Sequence, residues 1–362
     1  MPAQRKKILI CPLSWGTGHT TRVIPLISEL LNNGHEVIFG GNNWQIEFIK
    51  KEIPGIQFIS FPGFTIRYSS FLPQYLVILF YFPLFIYHTL IEHIRLKKLI
   101  VEHDIEIVIS DSRPGLWNRK IKTVLITHMI RIPFPAKLRI LENLPLPFSR
   151  IAIKKFTFCY IPDFPGEFNL SGSLSHGFHL PDNARYIGIL SRFLKEPHAL
   201  ATKKELFCTA IMSGPSPQKE IFTELTSRIL KESEEVSTIM AGIPEAEFIK
   251  REGNLITYNH LTNKEMLNTI MHSKIILSHS GYTTVMELFS IGRSAILVPT
   301  PGQAEQEYLA EYLSSKGWFK TIKQKHLCKE VLTEYIEPLL PDFPAEENKK
   351  LLLTALNELF ET

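Results

Sequence analysis

The chain has 362 residues, 44% of them hydrophobic and 21% charged, which is enough for two soluble domains with separate cores. Its four cysteines lie far apart and form no CxxC pair, so the sequence suits a reducing compartment and offers neither a disulfide framework nor a cysteine zinc site. The net charge of +4 is uneven: residues 1–160 carry 20 basic and 10 acidic side chains, and residues 161–362 carry 20 and 26. The basic first half indicates either a simple solubility effect or contact with an anionic surface or ligand. Nucleic acid is not expected as a partner, because no recognised nucleic-acid motif is present.

The first half alternates short apolar runs with amphipathic stretches, a pattern typical of βαβ units and a parallel sheet. Helices are predicted at Thr20–Asn32, which stops at Gly34, and at Gln45–Lys51. Strands are predicted at Lys7–Cys11, Glu36–Phe39, Gln57–Phe61, Ile105–Ser110, Thr123–Thr127, Phe156–Ile161 and Arg185–Ile189. We assign residues 1–190 to an N-terminal domain and the polar stretch Ser191–Lys204 to a linker.

The 21-residue stretch Phe71–Ile91 contains no formally charged residue and is rich in Leu, Ile, Phe and Tyr. Its length would admit a transmembrane helix, but two internal prolines interrupt it and the strands predicted on either side belong to one sheet. Two interpretations are favoured instead: a buried crossover helix, or a helix exposed as an apolar patch that docks on a membrane. The basic cluster that follows the stretch favours docking, and it consists of Arg95, Lys97 and Lys98.

The second half repeats the alternation of strands and helices and predicts a second domain at residues 204–344. Its strands are expected at Phe207–Met212, Val236–Ala241, Leu255–Tyr258, Ile275–Ser278 and Ser294–Pro299. Its helices are expected at Pro217–Glu232, Asn263–Ser273, Thr283–Ile291 and Glu305–Lys316. Residues 345–362 contain a last helix, Ala345–Phe360, which is free in sequence to return to the N-terminal domain.

A glycine-containing loop follows the first strand and opens the first helix. Glycines at such a turn let backbone amides approach a ligand, and the helix N-terminus favours anions. A dinucleotide site is weakly supported, because Thr21 occupies the place of the third glycine and the second strand ends without an acidic residue. His19, at the mouth of the loop, is placed to act as a base on a hydroxyl, although a capping or packed histidine is an alternative. The loop reads Ser14-Trp15-Gly16-Thr17-Gly18-His19.

The strongest motif follows the strand Ile275–Ser278 and also opens a helix. Small hydroxylated residues and a glycine at a helix start form an anion cradle of backbone amides and hydroxyls. Glu287 falls about one turn inside the helix, where a carboxylate can accept two hydrogen bonds from ribose hydroxyls. The plain alternative is an ordinary capped helix with a surface glutamate. The cradle comprises Ser280, Gly281, Thr283 and Thr284.

Four further polar residues lie at or shortly after the ends of predicted strands. The carboxyl edge of a parallel sheet is where ligands bind. Glu305 and Gln306 follow the strand Ser294–Pro299 and suit a sugar ring, whose hydroxyls both donate and accept. Asp111 ends one N-terminal strand and could orient a base, and His128 ends the next and could contact an acceptor. Structural roles for these last two residues are equally consistent with the sequence.

Taken together, these motifs resemble the family-28, or MurG-like, glycosyltransferases over nearly the whole chain, and most specifically in its C-terminal half. The resemblance implies that His19 is the base, that Glu287 holds a ribose, and that Glu305 and Gln306 grip the donor sugar. It also places Ser213 and Gly214 near a diphosphate. His260 lies in the segment whose backbone meets the nucleotide base, and Gly16, Thr17, Gly18 and His128 lie on the acceptor side. The chain departs from the family pattern at Trp15, at Leu309 and in the loop at Ser213, which has a single glycine.

The resemblance implies an α/β protein of the GT-B fold, with two Rossmann-like domains whose parallel sheets face each other across a cleft. The expected activity is metal-independent transfer of a sugar from a nucleoside-diphosphate sugar, UDP-linked by preference, to a lipid-linked or membrane-proximal hydroxyl. The nucleotide sugar is a co-substrate, and no cofactor is expected. The expected location is cytoplasmic, with contact to an anionic membrane on its inner face. The alternatives are a sugar-nucleotide 2-epimerase of the same fold and a non-catalytic sugar-nucleotide-binding protein.

Overall fold

A computed structural model of the chain describes residues 5–66, 74–194, 204–242 and 248–361, which form two seven-stranded sheets. All strand pairs are parallel except one antiparallel pair at the edge of the second sheet. The first sheet contains β1 (Lys7–Pro12), β2 (Glu36–Gly41), β3 (Gln57–Ser60), β4 (Ile107–Asp111), β5 (Lys122–Ile126), β6 (Phe158–Ile161) and β7 (Ala184–Tyr186). The second contains β8 (Leu206–Ile211), β9 (Ser237–Met240), β10 (Ile249–Glu252), β11 (Leu255–Tyr258), β12 (Ser273–Ser278), β13 (Ile296–Leu297) and β14 (Lys320–Thr321).

Most helices connect successive strands of the sheets, and two follow the last strand. In the first half they are α1 (Gly18–Arg22), α2 (Ile24–Asn32), α3 (Asn43–Glu52), α4 (Gln74–Glu102) and α5 (Leu146–Ile153). In the second half they are α6 (Gln218–Lys231), α7 (Asn263–Met271), α8 (Tyr282–Ser290), α9 (Ala304–Ser315), α10 (Lys329–Thr333) and α11 (Ala345–Glu361). Short 3-10 turns lie at Ala136–Asn143, Gly172–Leu174 and Gln324–His326.

The strand order creates one crevice at the carboxyl edge of each sheet. The first sheet runs β3-β2-β1-β4-β5-β6-β7, so the chain leaves β1 toward one side and returns through β4 on the other. The second runs β10-β11-β9-β8-β12-β13-β14, with the same reversal between β8 and β12. Ligands of open α/β sheets bind outside the carboxyl ends of strands at such reversals. The two predicted parallel-sheet units are therefore confirmed, and their topology points to the loops after β1, β4, β8 and β12.

Several elements differ from the prediction, and three of the differences have a clear physical reason. The single helix predicted at Thr20–Asn32 is divided at Val23 into α1 and α2, because Pro25 has no N–H to donate to the carbonyl four residues earlier. The edge strand β10 was not predicted, because Ile249 is followed by three charged residues and shows no apolar alternation. The two-residue strand β14 was not predicted, because it is too short to carry a periodic signal.

The long helix α4 covers most of the uncharged stretch, of which residues 71–73 lie outside the described part of the chain. Its apolar side chains largely face away from the sheet: Leu79, Phe80 and Leu90 are 59–75% exposed. The helix is therefore a crossover whose outer apolar face is exposed, as the second interpretation expected, and the docking of that face on a membrane stays a prediction. Among the described residues, no helix is both long and apolar enough to cross a membrane.

The last helix, α11, packs on the first sheet rather than the second. Leu356 and Leu359 are fully buried in the core that contains β1 and β2 side chains. The Tyr160 hydroxyl at β6 donates to the Ala355 carbonyl at 2.6 Å, and Arg185 pairs with Glu358. The chain thus crosses between the two sheets twice, once before β8 and once before α11.

Candidate active site between the two sheets

The carboxyl edges of both sheets border one cavity of about 190 Å³. Two of the residues singled out in the sequence, Asp111 and Ser280, are fully buried behind lining residues. The others line the cavity directly: Gly16, Thr17, Gly18, His19, His128, Ser213, Gly214, His260, Gly281, Thr283, Thr284, Glu287, Glu305 and Gln306. The fold therefore brings together residues that are almost 300 positions apart in the sequence.

The N-terminal ends of α1 and α8 meet at this cavity. The Thr283 hydroxyl donates to the Gly18 carbonyl at 3.1 Å, and a Cβ on Gly18 would lie 3.0 Å from that same hydroxyl. Only glycine allows the two helices to approach so closely. The free backbone amides of the first turn of α8 and its dipole create a positive potential at this point. The arrangement suits an anionic group held between the two halves of the chain.

His19 is held through one ring nitrogen. Its Nδ1 lies 3.2 Å from Asp111 Oδ2 and 2.8 Å from Arg22 Nη2. Arg22 also forms a two-point ion pair with Asp111, through Nε at 2.6 Å and through Nη2. Among the described residues no hydrogen bond involves His19 Nε2, so this nitrogen is the one available to a molecule in the cavity.

Burial and charge set the protonation of this cluster. Burial lowers the pKa of His19, and the Arg22 guanidinium lowers it further, which together outweigh the attraction of Asp111. For Asp111, burial alone would raise the pKa, but Arg22 and His19 hold it well below its usual value. His19 is therefore a neutral imidazole facing a permanent carboxylate, the state that a general base requires.

His128 connects the first half of the chain to the second. Its Nε2 lies 2.9 Å from Glu305 Oε1, and its Nδ1 lies 3.3 Å from Arg22 Nη1. The ring stacks on Tyr282 with centroids 4.0 Å apart and planes within 4°. Burial would raise the pKa of Glu305, but the hydrogen bond from His128 and the positive charge nearby, that of Arg22 included, outweigh it and lower the pKa. A carboxylate is thus maintained at the start of α9, on the wall of the cavity.

Gln306 is fixed by the strand end beside it. Its side-chain carbonyl accepts from the Thr300 amide at 2.9 Å, so its NH₂ group is directed away from the backbone. The Ser280 hydroxyl donates to the backbone carbonyl of Gln306 at 2.8 Å and thereby connects α9 to the cradle. Glu305 and Gln306 therefore present one acceptor and one donor side by side, which matches the hydroxyls of a sugar.

Glu287 is buried in the cavity wall and paired with Arg192. Its Oε1 lies 2.9 Å from Arg192 Nε, and only 4% of the residue is exposed. Burial raises the pKa of Glu287 above its ordinary value, although Arg192 opposes the shift. The alternative of a surface glutamate on an ordinary capped helix is therefore wrong.

The loop after β8 faces the loop after β1. Gly16 and Gly214 both have a positive φ, 88° and 99°, and a Cβ on Gly16 would lie 3.8 Å from Gly214 Cα. His279 Nδ1 lies 3.1 Å from the Ser213 carbonyl, and the ring stacks on Phe222. Burial lowers the pKa of His279 to about 4, so the ring is neutral and its Nδ1–H donates to the loop.

Sequence reasoning missed three residues of this site. Arg22 lies three positions after His19 on the same helix face, so helical spacing could have indicated it. Arg192 lies in the segment assigned to the linker, where no pattern singles it out. Tyr282 lies inside the cradle motif but was given no role; it is buried, stacks on His128 and donates to the Pro162 carbonyl at 2.8 Å. Among the described residues, no group of three or more His, Cys, Asp or Glu side chains is placed to hold a metal ion.

Comparison with known proteins finds a family model that matches part of the chain. Residues 226–358 match the model of the glycosyltransferase family 28 C-terminal domain. That range includes the cradle, Glu287, Glu305 and Gln306.

Individual relatives and structures are similar over longer or shorter parts of the chain. An uncharacterized glycosyltransferase of Methanosarcina acetivorans is 24% identical across 93% of this chain and 90% of its own length. A UDP-N-acetylglucosamine–N-acetylmuramyl-(pentapeptide) pyrophosphoryl-undecaprenol N-acetylglucosamine transferase of Sulfurihydrogenibium is 31% identical across 30% of this chain and 34% of its own. The structure of Arabidopsis thaliana UGT89C1 complexed with UDP-L-rhamnose covers 99% of this chain and 98% of its own, with a TM-score of 0.59 at 13% identity. The matches favour a glycosyltransferase over an epimerase or a binding protein.

Proposed function

We propose that this chain, which matches the family 28 C-terminal domain over residues 226–358 and shares its fold with solved glycosyltransferases, transfers a sugar from a UDP-linked donor to a hydroxyl of a lipid-linked acceptor at a membrane surface. The donor binds to the second sheet and the base lies on the first. The reaction needs no metal ion. The protein works at the cytoplasmic face of the membrane.

The buried glutamate of α8 carries the donor assignment. Burying a carboxylate costs free energy unless the charge has partners. Glu287 is 4% exposed and has Arg192 on one side and the cavity on the other. Ribose hydroxyls supply two donors to such a carboxylate. The names of a relative and of a structural neighbour include UDP-sugars, which supports uracil as the base of the nucleotide.

The proposed reaction is a displacement at the anomeric carbon. His19 Nε2 accepts the proton of the acceptor hydroxyl as its oxygen forms a bond to that carbon. The bond from the anomeric carbon to the donor diphosphate breaks, and its electron pair leaves with the diphosphate. Asp111, at 3.2 Å from Nδ1, stabilises the imidazolium that forms.

The leaving diphosphate meets groups fixed before the reaction. The first-turn amides of α8, the Thr284 hydroxyl and the amides of the Ser213 loop all border the cavity. Donors that are already oriented stabilise developing charge without reorganisation. This arrangement can replace a metal ion, and the sequence contains no D-x-D pair of the kind that binds one.

The acceptor assignment depends on the exposed apolar surface of the first half. In addition to α4, the segment 138–151 exposes Ile140, Phe148 and Ile151 at 59–88%. Trp117 lies between the two elements: it stacks on His93 of α4 and packs in the core cluster with Leu146 of α5. The second half of α4 therefore lies close to the core cluster on which α5 packs. Together with nearby lysines and arginines, the two apolar elements suit an anionic membrane.

Trp15 connects this surface to the base. Its indole N–H donates to the Phe64 carbonyl at 2.6 Å, and its ring lies 6.4 Å from that of Phe85 on α4. The next residue is Gly16, and His19 follows one turn later. A short headgroup whose lipid remains at α4 could therefore present its hydroxyl to His19 across Trp15.

Calorimetric titration and thermal shift with UDP test the donor assignment. Glu287→Gln should weaken UDP binding by roughly 2–4 kcal/mol, because one of the two ribose hydrogen bonds is lost and the other no longer has a charged acceptor. Glutamine preserves the shape and avoids the worst loss of stability at the Arg192 pair. The matched control is Glu224→Gln, on the exposed face of α6. The titrations contain a chelator, since the proposal requires no metal. Equal UDP affinity in the two variants would show that Glu287 does not hold the ribose.

A further inference from the structure

Arg22 is at the centre of the cluster around the base, although it faces the substrate cavity only in part. It is 1% exposed and lies among Asp111, His19, Ser112 and His128, all within 3.3 Å of its guanidinium. The two-point pair with Asp111 uses Nε and Nη2. A guanidinium fork held at two points has a fixed plane, so the directions of its remaining N–H groups are fixed as well.

The acceptors around Nη2 outnumber its hydrogens. Nη2 carries two N–H groups, and its neighbours are Asp111 Oδ1, His19 Nδ1 at 2.8 Å and Ser112 Oγ at 3.1 Å. One N–H is committed to Asp111, so His19 and Ser112 compete for the other. Ser112 has a φ of 58°, an uncommon backbone conformation for a residue other than glycine, and its hydroxyl stays beside Arg22.

This competition decides which nitrogen of His19 carries the proton. When Arg22 donates to His19, Nδ1 must be unprotonated and the proton lies on Nε2, where it blocks a base. When Arg22 donates to Ser112, Nδ1–H is free to donate to Asp111 Oδ2, and Nε2 keeps its lone pair. His128 is constrained too: its Nδ1 accepts from Arg22, so its Nε2–H donates to Glu305.

We propose that Arg22 is a positioning residue for the base: it holds the Asp111 carboxylate against His19 and, by donating to Ser112, leaves Nε2 of a neutral His19 free in the cavity. Arg22 itself does not touch the reacting atoms. The assignment deepens the proposed sugar transfer and rests on it for the role of His19, but the protonation of His19 is a property of the protein alone.

Four charged or titratable groups face His19, and they act in opposite directions. Arg22 on α1 opposes a positive ring, as does His128 after β5 when it is protonated. Asp111 at the end of β4 and Glu305 at the start of α9 favour a positive ring. Removing Arg22 should therefore make His19 easier to protonate, and removing Asp111 should make it harder.

The test is an NMR titration of the His19 ring in the ligand-free protein, with the resonance assigned by His19→Gln. In Arg22→Gln we expect the pKa of His19 to rise by about one unit or more, and in Asp111→Asn to fall by a similar amount, as removing a charge at this range predicts. Arg22→Lys keeps the positive charge, so the pKa of His19 should stay near its wild-type value. The kcat should fall, because lysine lacks the two-point guanidinium fork that holds Asp111. A rise in Arg22→Gln with a fall in Asp111→Asn supports the proposal. Shifts in the same direction, or no shift in Arg22→Gln, would overturn it.

Two further variants keep the test decisive. Arg22→Gln leaves the buried Asp111 carboxylate without its partner, so the double variant Arg22→Gln/Asp111→Asn is measured as well. The pKa of His19 in the double variant should lie between its values in the two single variants. Ser112→Ala removes the competing acceptor, so the ring ¹⁵N shifts should show more Nε2–H tautomer. An unchanged tautomer in Ser112→Ala contradicts the competition.

Kinetics separate this proposal from the function it rests on. The acid limb of the pH profile of kcat/KM reports the pKa of the base in the free enzyme. In each variant it should therefore shift by the same amount as the pKa of His19 measured by NMR. If the titrations behave as expected but no UDP-sugar is turned over, the proposed transfer is wrong and the role of Arg22 in setting the His19 proton stands. If transfer occurs and the acid limb is the same in wild type and Arg22→Gln, the positioning role is wrong.

Discussion

His19 illustrates how much of this site depends on single atoms. Its Nδ1 faces Asp111 and Arg22, so the proposed chemistry depends on Nε2 alone. His19→Gln keeps a polar side chain in the loop but removes the base, and kcat should fall by about 10²–10⁴-fold. UDP affinity should remain close to wild type, because the nucleotide is held by the other half. Steady-state kinetics with calorimetry measure both quantities, and retention of most turnover would show that His19 is not the base.

At the same scale, the sequence indicates the residues that carry recognisable motifs and omits those that support them. His19, Glu287 and Gln306 occur in motifs at strand ends, which is why they could be selected. Arg192 and Tyr282 act through tertiary contacts with residues far away in the chain, and such contacts leave no local pattern. The roles predicted for the selected residues stay predictions until the variants are measured.

Among the elements, α4 has the clearest consequence for where the protein works. Its exposed apolar face, together with that of α5, should bind anionic vesicles through apolar burial and nearby basic residues. Burying a Phe side chain contributes about 1.5–3 kcal/mol, so Phe80→Ser/Phe148→Ser should weaken partitioning at least tenfold. Charge reversal at Lys97 and Lys98 should also weaken it, and more so at low salt. Vesicle co-sedimentation gives the partition coefficients.

The control for that experiment lies on the other half of the chain. Ile249 on β10 is 70% exposed, so Ile249→Ser removes a comparable apolar side chain away from α4. Equal binding by the Ile249 and double Phe variants would show that the apolar face is not the membrane contact. Equal wild-type partitioning onto neutral and anionic vesicles would show that the basic residues contribute nothing to the binding.

Element prediction succeeded wherever hydrophobic period and length agreed. The buried strands β1, β4, β8 and β12 are continuous apolar runs, and their bounds are predicted to within two residues. The uncharged stretch was ambiguous, because apolar content alone does not distinguish a helix inside a protein from one on its surface. The face of α4 that becomes buried is determined by its packing against the first sheet, and the local sequence does not show that packing.

For the molecule as a whole, the contact of α11 with the first sheet has a measurable energetic effect. Leu359 is fully buried there, so Leu359→Ala should lower the free energy of unfolding by about 2–5 kcal/mol. Leu339→Ala is the control, because that side chain is 94% exposed and should change stability by less than about 0.5 kcal/mol. Urea denaturation followed by circular dichroism measures both. Similar midpoints for the two variants would mean that α11 contributes little to the first core.

The same contact affects the order in which the protein can form during synthesis. About 160 residues separate the end of β7 from the start of α11, and a ribosome adding 5–20 residues per second needs about 8 to 32 s to make them. During that interval the apolar surface that α11 will cover, which includes Ile187 and Leu190, is open to solvent. The first-made half is therefore completed last, and the nascent chain passes through a stage in which chaperones or the membrane can bind its uncovered core.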